Sequence, residues 1–518
     1  MLLPARHFAE TKQLAAQLHV EDVEAWLLEK GYYPEQYVLP PCFSATGFKK
    51  QQNPYFQITL DGNKHKLRPG ISEHIHLSLP KSMLIQRDFA LVDPRHYHDM
   101  VTYMIEDWPF ILGHLFHDDQ KIYAYSFPIP LTRKEPGTIS SLRAGRMIYE
   151  FLEMAEGDLV AEAYKYKFLL RTDIRNFYAS IYTHSIPWAL QGKANARQDR
   201  FNIDSLGKKL DVLAQYSNDQ CTNGIAVGPA ISDLLSEMLL AAIDLDCSRK
   251  LAQKGIDFVG VRFKDDYRFL CRSEDDARTI TVSLQQCMQA YNLTLSEEKS
   301  YCLKLPEGLF RPWKAHYKNH SLSHRRSISY RVFERTLQSV LQIDVQIPGT
   351  GIIDRFLSEL TNDTYNLKLQ LNDKQQRSAL SLLLLLRERR AKTFPVILAI
   401  VESLLNKYSQ NQDLAMHIKN ALLAMLQLKA AKPSENEYEI LWLVYFLKTV
   451  MRRQVDEIPD CLSPLIESVI KEERIFYDDF GDCELFAMPD LPIQTNHLLR
   501  HLAMFQRQQQ ENQGEADN

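Results

Sequence analysis

Two adjacent aspartates, Asp265 and Asp266, stand between the largely apolar stretches 258–263 and 267–271. This pattern predicts two strands joined by a tight turn with the acids at its tip. Two ionised carboxylates beside an apolar base repel each other, and holding both costs free energy unless a cation lies between them. Because hard divalent cations prefer oxygen ligands, the pair points to a magnesium site.

An isolated Asp-Asp pair would suit a solvated hairpin tip equally well, so a third carboxylate is needed. Asp173 supplies it, at the end of the largely apolar run 168–172. Three carboxylates from two strand ends could hold two ions roughly 3.5–4 Å apart, the arrangement used for in-line displacement at phosphorus. One ion would activate the attacking hydroxyl, and both would neutralise charge on the leaving pyrophosphate.

A lysine and a glycine-containing loop complete the set of candidate site residues. Lys299 follows residues 293–295, which could form a further strand. Lys299 could be a surface charge, or it could protonate the departing pyrophosphate if that strand returns beside the acids. Gly224 and Gly228 precede a helix predicted over 230–242. Glycine lets a ligand approach the backbone and a helix N-terminus favours an anion, so this loop predicts a platform for a nucleotide or a strand.

The charge balance limits the kind of nucleic acid that the protein can hold. The 518 residues suggest about three domains, and the 45% hydrophobic content is typical of a globular protein. Lys and Arg number 61 against 65 Asp and Glu, which gives a formal net charge of −4. Since phosphate neutralisation dominates the affinity for a long duplex, this balance favours binding of nucleotides or a short strand.

Cysteine usage and hydropathy indicate a cytoplasmic protein with no membrane partner. The eight cysteines are scattered without a Cys-x-x-Cys pair, so we expect buried thiols in a reducing compartment. The first residues lack the apolar core of a signal peptide. The longest run of leucines, 382–386, is too short to span a membrane.

The second half of the chain predicts an almost entirely helical region. The charged segment 193–216 is expected to be mobile. Beyond the acidic strands, from about residue 331, apolar residues recur at spacings of three and four. The leucine-rich stretch Leu380–Leu386 is apolar all round and predicts a buried central helix. Paired helices of this kind suggest a stacked helical repeat. The predicted helices cover 331–343, 375–390, 395–408, 413–429, 435–453 and 497–508.

The order of these signals resembles the palm of a reverse transcriptase. The motifs are Asp173-x-x-x-Phe177-Tyr178, then residues 223–229, then Phe263-Lys264-Asp265-Asp266, then 295–299. Phe263 stands where retroviral enzymes commonly have Tyr, and an aromatic platform is kept. More narrowly, residues 177–193 resemble the abortive-infection (Abi) reverse transcriptases of bacterial phage defence, the AbiK-like group. The resemblance covers roughly residues 75–300.

The resemblance implies an α+β fold with reverse-transcriptase-like fingers and palm, followed by an all-α helical-repeat C-terminal domain in place of the thumb. The expected division is an N-terminal segment and the start of the fingers over 1–74, and fingers and palm over 75–325. A HEAT-like α-helical domain would follow over 326–508. Residues 509–518 are polar and predict a disordered tail.

The resemblance also implies a role for each candidate site residue. Asp173, Asp265 and Asp266, with the carbonyl of Ile174, would hold two Mg²⁺ ions, for which Mn²⁺ could substitute. Tyr178 would clash with a ribose 2′-hydroxyl, so dNTPs would be preferred. The remaining expected roles are triphosphate contact for Lys81 and Arg87, a lining for the nascent strand from Gly224 to Gly228, and general acid for Lys299.

Members of this family are described as template-independent, protein-primed DNA polymerases that assemble as closed homo-oligomers. The resemblance therefore implies an anti-phage nucleotidyltransferase that uses dNTPs, forms a trimer or hexamer and carries its single-stranded DNA product covalently. The priming candidates are the first tyrosines of the chain, Tyr32, Tyr33, Tyr37 and Tyr55. The alternatives are an RNA-templated reverse transcriptase and a helical scaffold with a vestigial palm, although a decayed site would be expected to lose a carboxylate.

Overall fold

The structure is a computed structural model that describes residues 1–61, 64–81, 85–132, 135–139, 151–198, 203–456, 458, 463–477, 480–491 and 495–502. The predicted tail, 509–518, lies outside these residues. The strands are β1 (Ile58–Asp61), β2 (Lys64–Leu67), β3 (Ile75–Pro80), β4 (Gln86–Leu91), β5 (Ile122–Ala124), β6 (Phe168–Asp173), β7 (Phe258–Phe263), β8 (Asp266–Cys271), β9 (Tyr301–Lys304), β10 (Ile328–Ser329) and β11 (Leu369–Gln370).

The helices make up most of the remaining regular structure and confirm a mixed helix-and-sheet protein. They are α1 (Leu3–Ala16), α2 (Val20–Glu29), α3 (Pro94–Glu106), α4 (Trp108–Leu115), α5 (Phe151–Glu162), α6 (Phe177–Ser180), α7 (Ser185–Gln191), α8 (Lys193–Gln198), α9 (Leu206–Tyr216), α10 (Ala230–Gln253), α11 (Glu274–Ala290), α12 (Pro312–Tyr317), α13 (Tyr330–Gln346), α14 (Ile352–Ser358), α15 (Asp373–Leu385), α16 (Phe394–Lys407), α17 (Gln412–Ala430), α18 (Pro433–Thr449), α19 (Pro464–Lys471) and α20 (His497–His501).

A five-stranded sheet with the order β5-β7-β8-β6-β9 lies at the centre of the first half of the chain. The strand β5 runs parallel to β7, and the other pairs are antiparallel. Successive residues of a strand enter different apolar clusters: Phe269 faces one and Leu270 the other. Both faces are therefore covered, which explains why these strands have nearly continuous apolar sequences.

The predicted hairpin at the Asp doublet is confirmed. Strands β7 and β8 pair from Phe258 opposite Cys271 to Phe263 opposite Asp266, so the turn contains only Lys264 and Asp265. Lys264 has φ +51°, a left-handed conformation that tight hairpin turns require. The acids thus stand at the tip of a rigid hairpin.

The N-terminal segment and the C-terminal helices share one apolar core. The Tyr438 hydroxyl donates to the Tyr37 carbonyl at 2.7 Å, and the Trp442 indole donates to the Val38 carbonyl at 3.3 Å. The Tyr33 hydroxyl reaches the Leu485 carbonyl. These buried bonds join residues some 400 positions apart. The proposed domain limits stay a prediction.

Several local expectations need correction. The segment expected to be mobile forms helix α9 over part of its length, with Leu210 and Leu213 fully buried. Leu385 is 56% exposed, so the leucine-rich helix α15 buries one face rather than its whole circumference. Cys221 and Cys302 are exposed thiols, because one lies in a surface loop and the other on the edge strand β9. Beyond residue 502, the helix predicted over 497–508 lies outside the described residues.

A buried ion network fixes the tip of the hairpin to helix α10. The Arg262 guanidinium bonds to both Glu237 carboxylate oxygens at 3.0 Å and to Asp244 at 2.7 Å. Arg262 also donates to the Lys264 carbonyl at 3.2 Å, while Ser126 accepts from the Lys264 amide. The backbone of the acidic turn is therefore anchored from below. Within the described residues, none of the helices could cross a membrane.

We predict that Arg262→Ala destabilises the protein by about 3–5 kcal/mol, because it leaves two buried carboxylates without their cation. Urea unfolding followed by circular dichroism measures the loss. The control is Arg272→Ala, which removes an exposed ion pair with Asp257 and should cost less than about 1 kcal/mol. Equal losses in the two variants would show that the buried network contributes nothing special.

Candidate active site

Strand pairing brings the three predicted carboxylates to one edge of the central sheet. Asp173, the last residue of β6, lies directly opposite Asp266, the first residue of β8. The Ile174 amide donates to the Asp265 carbonyl at 3.2 Å, which ties the end of β6 to the hairpin turn. Residues 92 positions apart in the sequence thus meet through backbone register alone.

Lys299 also reaches this cluster, through a strand that returns beside β6. Ile174 pairs with Leu295 in an isolated bridge, and the Ser296 amide donates to the Asp173 carbonyl at 2.8 Å. The following single turn carries Lys299, whose ammonium lies 2.9 Å from Asp173 Oδ1. The Lys299 side chain is 53% exposed, so a ligand from solvent can reach it.

Two arginines that sequence reasoning missed flank Asp266. Arg171 and Arg268 approach Asp266 Oδ2 at 3.4 and 3.2 Å, and Glu156 holds Arg268 from behind at 3.1 Å. Each arginine lies two residues from an acid on its strand, so the two-residue period of a strand puts it on the acid's face. This spacing of two residues from an acid is the sequence signal that could have identified both arginines.

The electrostatics of the cluster disfavour a full set of negative charges. Burial, and after it the charge of Asp173, raise the pKa of the Asp265 carboxyl above its ordinary value. Lys81 lies within electrostatic reach of both acids; partial burial and then the nearby cations Arg87 and Lys299 lower its pKa. The cluster therefore holds negative charge that a bound cation would stabilise.

The donor set suits a hard divalent cation, although the side chains do not yet converge. Among the residues that the structure describes, no three His, Cys, Asp or Glu side chains are arranged as a ready metal cage. Instead, Asp173 pairs with Lys299 and Asp266 pairs with Arg268. Carboxylate oxygens at one sheet edge, with Asp265 held ionised at a cost, fit magnesium or manganese once those cations move aside.

Tyr178 stands at the start of the short helix after β6. Its hydroxyl bonds to Asp233 in the first turn of α10, and the Lys264 ammonium lies 3.4 Å from the same carboxylate oxygen. Burial and then the Asp233 charge raise the pKa of Tyr178, so its hydroxyl stays protonated. The aromatic ring is therefore fixed to the element that carries Asp265.

The two candidate glycines have packing reasons for their identity. Gly224 has φ +86°, and a Cβ there would lie 3.4 Å from the Ala179 carbonyl. Gly228 has φ +129°, and a Cβ there would lie 2.8 Å from Pro34. The loop between them joins β4, because the Ala90 amide donates to the Val227 carbonyl. Both glycines closely approach other residues of the protein, and their contact with a nascent nucleic-acid strand stays a prediction.

The priming candidates differ in what surrounds their hydroxyls. Tyr32 and Tyr33 are buried, and their hydroxyls donate to the carbonyls of Val92 and Leu485. Tyr55 is half-buried and bonds to Asp482. Tyr37 is as buried as Tyr33, and its side chain lines a large cavity.

That cavity has a volume of about 1100 Å³, and its lining contains more cations than acids. Lys81 and Arg87 belong to it, so both predicted triphosphate contacts face the same space as Tyr37. Arg87 hydrogen-bonds to the Tyr37 side chain, and the Lys392 ammonium lies 5.1 Å from the Tyr37 ring centre. The cations contributed by the helical half are Arg387, Arg389, Arg390, Lys392 and Lys429.

Comparisons with known proteins give weak likenesses. No family model and no curated protein matches the chain. Among solved structures, telomerase from Candida albicans in complex with a TWJ fragment of telomeric RNA is 11% identical, with a TM-score of 0.29. Apo telomerase from Candida tropicalis is 9% identical, with a TM-score of 0.33. Both neighbours are telomerases.

These likenesses extend over much of each chain. The match to the Candida albicans structure covers 73% of this chain and 64% of that one, less than two thirds of its length. The match to the Candida tropicalis structure covers 69% and 70%. At TM-scores this low, the likenesses carry no conclusion about function.

We predict that Asp265→Asn raises the thermal unfolding midpoint of the metal-free protein at neutral pH. Because the pKa of Asp265 is raised in the folded state, its ionised form destabilises the fold above that pKa and not below the unfolded value. The advantage of the variant should therefore shrink as the pH falls towards about 4. Differential scanning calorimetry across this pH range measures it.

Magnesium provides the second half of this test. A cation that binds the folded state raises the unfolding midpoint, so magnesium should stabilise the parent protein more than Asp265→Asn. The matched control is Asp275→Asn, an exposed acid in the first turn of α11, which should respond to magnesium as the parent does. Identical magnesium responses in parent and Asp265→Asn would contradict the assigned ligand.

Proposed function

We propose that this protein is a DNA polymerase of the reverse-transcriptase superfamily that transfers nucleotides from dNTPs. The observation that carries the proposal is the direct pairing of Asp173 with Asp266, with Asp265 one residue away and Lys299 at hydrogen-bond distance. A carboxylate cluster on a rigid sheet edge, rimmed by cations, suits phosphoryl transfer, which requires positioning and charge neutralisation above all.

In this proposal, different residues of the protein bind the metal ions, bind the triphosphate and donate a proton. Asp173, Asp265 and Asp266, with the Ile174 carbonyl, would hold two magnesium ions, which supply activation of the attacking hydroxyl and neutralisation of phosphate charge. Lys81 and Arg87 hold the triphosphate by charge-assisted hydrogen bonds. Lys299 holds a proton beside Asp173 and gives it to the pyrophosphate oxygen as that group leaves.

The first test of this proposal is DNA synthesis without added template. Purified protein with magnesium and labelled dNTPs should make DNA, and Asp265→Ala with Asp266→Ala should abolish the label, because two ligands are lost together. Denaturing gel electrophoresis measures the product, with Asp275→Ala as the matched control. Full labelling in the double variant would contradict the site. Strong stimulation by a primed RNA template, with a complementary product, would favour the RNA-templated alternative.

We further propose that synthesis is primed by the protein itself, at Tyr37. Its side chain lines the cavity that also contains Lys81 and Arg87, whereas the hydroxyls of Tyr32 and Tyr33 are occupied by buried backbone bonds. The resemblance to protein-primed enzymes and the net charge of −4 support a short attached strand over a long copied duplex.

We predict that Tyr37→Phe abolishes covalent attachment of DNA, since it removes the attacking oxygen and keeps the ring. Mass spectrometry of the protein carrying its first nucleotide identifies the modified residue. The control is Tyr32→Phe, which removes one buried hydrogen bond worth about 1 kcal/mol and should leave labelling unchanged. Attachment at Tyr55, or persistence of labelling in Tyr37→Phe, would rule Tyr37 out.

The biological setting that we propose, anti-phage defence by a trimeric or hexameric assembly in the bacterial cytoplasm, is supported by the sequence resemblance. A helical scaffold with a vestigial palm is the opposing view. It is disfavoured because Asp173 keeps its contact with Lys299 and Asp266 keeps its contacts with Arg171 and Arg268, while Asp265 stays in the turn beside them. Defence that survives loss of Asp265 and Asp266 would revive it.

A further inference from the structure

Asp233 joins three elements around the carboxylate cluster. It lies in the first turn of the buried, 24-residue helix α10, where a negative side chain is favoured by the helix dipole. Its carboxylate accepts the hydroxyl of Tyr178 and lies 3.4 Å from the Lys264 ammonium. Tyr178 is five residues beyond Asp173, and Lys264 immediately precedes Asp265. One side chain therefore connects both acidic segments to α10.

The Tyr178 ring needs such an anchor because its own element is short. Helix α6 has only four residues, follows a left-handed Asn176, and is too short to be stable by itself. The ring is held by an edge contact with Phe177 at 5.2 Å, by the Ile225 amide on the Tyr178 carbonyl, and by Asp233. At the outer end of the ring, the hydroxyl is held by Asp233 and by a side-chain hydrogen bond with Ser236, one turn further along α10.

Selection against the 2′-hydroxyl of a ribonucleotide depends on the space between the sugar and the Tyr178 ring, which differs by the size of one atom. A functional side chain must be held to within about 0.5 Å to perform such work. A hydrogen bond to a carboxylate such as that of Asp233 is stronger than one between neutral groups and fixes direction as well as distance. The Lys264 ammonium lies 3.4 Å from the same carboxylate oxygen, so Asp233 links the ring to the hairpin turn.

We propose that Asp233 is a positioning residue for sugar selection: by holding Tyr178 against the hairpin turn, it makes the site prefer deoxyribonucleotides over ribonucleotides. The inference rests on the proposed function, because it takes Tyr178 as the residue that meets the 2′ position. It assigns the preference to a pair of residues rather than to the aromatic ring alone.

The test compares the affinities for dATP and ATP, measured by equilibrium binding with calcium in place of magnesium. The parent should bind dATP more tightly than ATP. Loss of one charge-assisted hydrogen bond of about 1.4 kcal/mol corresponds to about a tenfold change. Asp233→Ala and Tyr178→Phe should therefore each reduce the preference about tenfold, and the double variant should lose no more than Tyr178→Phe, because that change already removes the Asp233 bond.

Asp233→Asn is the conservative variant. It keeps an oxygen that accepts the Tyr178 hydroxyl and should therefore retain most of the preference, and the exposed Asp275→Asn should match the parent. A merely structural role would weaken dATP and ATP binding equally and leave their ratio unchanged. An unchanged ratio in Asp233→Ala overturns the proposal, as does a parent that binds both nucleotides equally. If Asp233→Ala fails to fold, Tyr178→Phe and Asp233→Asn carry the comparison.

Incorporation assays separate this inference from the proposed function. In the active enzyme, Asp233→Ala should raise the share of ribonucleotide in the product about tenfold, by the same loss of one bond. A parent that shows the binding preference and makes no DNA would refute the polymerase while leaving the role of Asp233 intact. A parent that makes DNA, with an unchanged sugar ratio in Asp233→Ala, would refute the role of Asp233 alone.

Discussion

The antiparallel register between β6 and β8 is the constraint on which the candidate site depends. It puts Asp173 opposite Asp266, and a slip of one residue would send every side chain of β6 to the other face of the sheet. Apolar layers on both faces forbid that slip, because it would exchange the residues of two separate clusters. The position of the acids is therefore fixed by packing rather than by the acids themselves.

The buried network of Arg262 extends this constraint to the hairpin turn. A guanidinium enclosed by Glu237 and Asp244 cannot move without leaving a buried charge unpaired, and it holds the Lys264 carbonyl. The network thus stabilises a turn that contains Asp265, a residue that is costly to ionise.

The sequence predicted those parts of the site that follow from local pattern. The hairpin and Asp173 follow from apolar runs ending in acids, and both are where they were expected. Helix α9 was missed because its lysines and Asp211 read as solvent-exposed charge, whereas Asp211 is buried against His184 and Lys208. The link between Asp233 and Tyr178 joins separate elements, and no pattern within either segment encodes it.

Three cations of the site and the cavity are each paired with an acid, which is consistent with the nearly neutral charge of the chain. Lys299 rests on Asp173, Arg268 on Asp266, and in the large cavity Arg387 rests on Glu439 at 3.1 Å. A partly buried cation without a partner would be costly to fold, and an acid holds each of these three. Under the proposed function, phosphate would replace these acids as the partner of each cation. A site built on such exchange needs no excess of positive charge, and a net charge of −4 is then compatible with handling a polyanion.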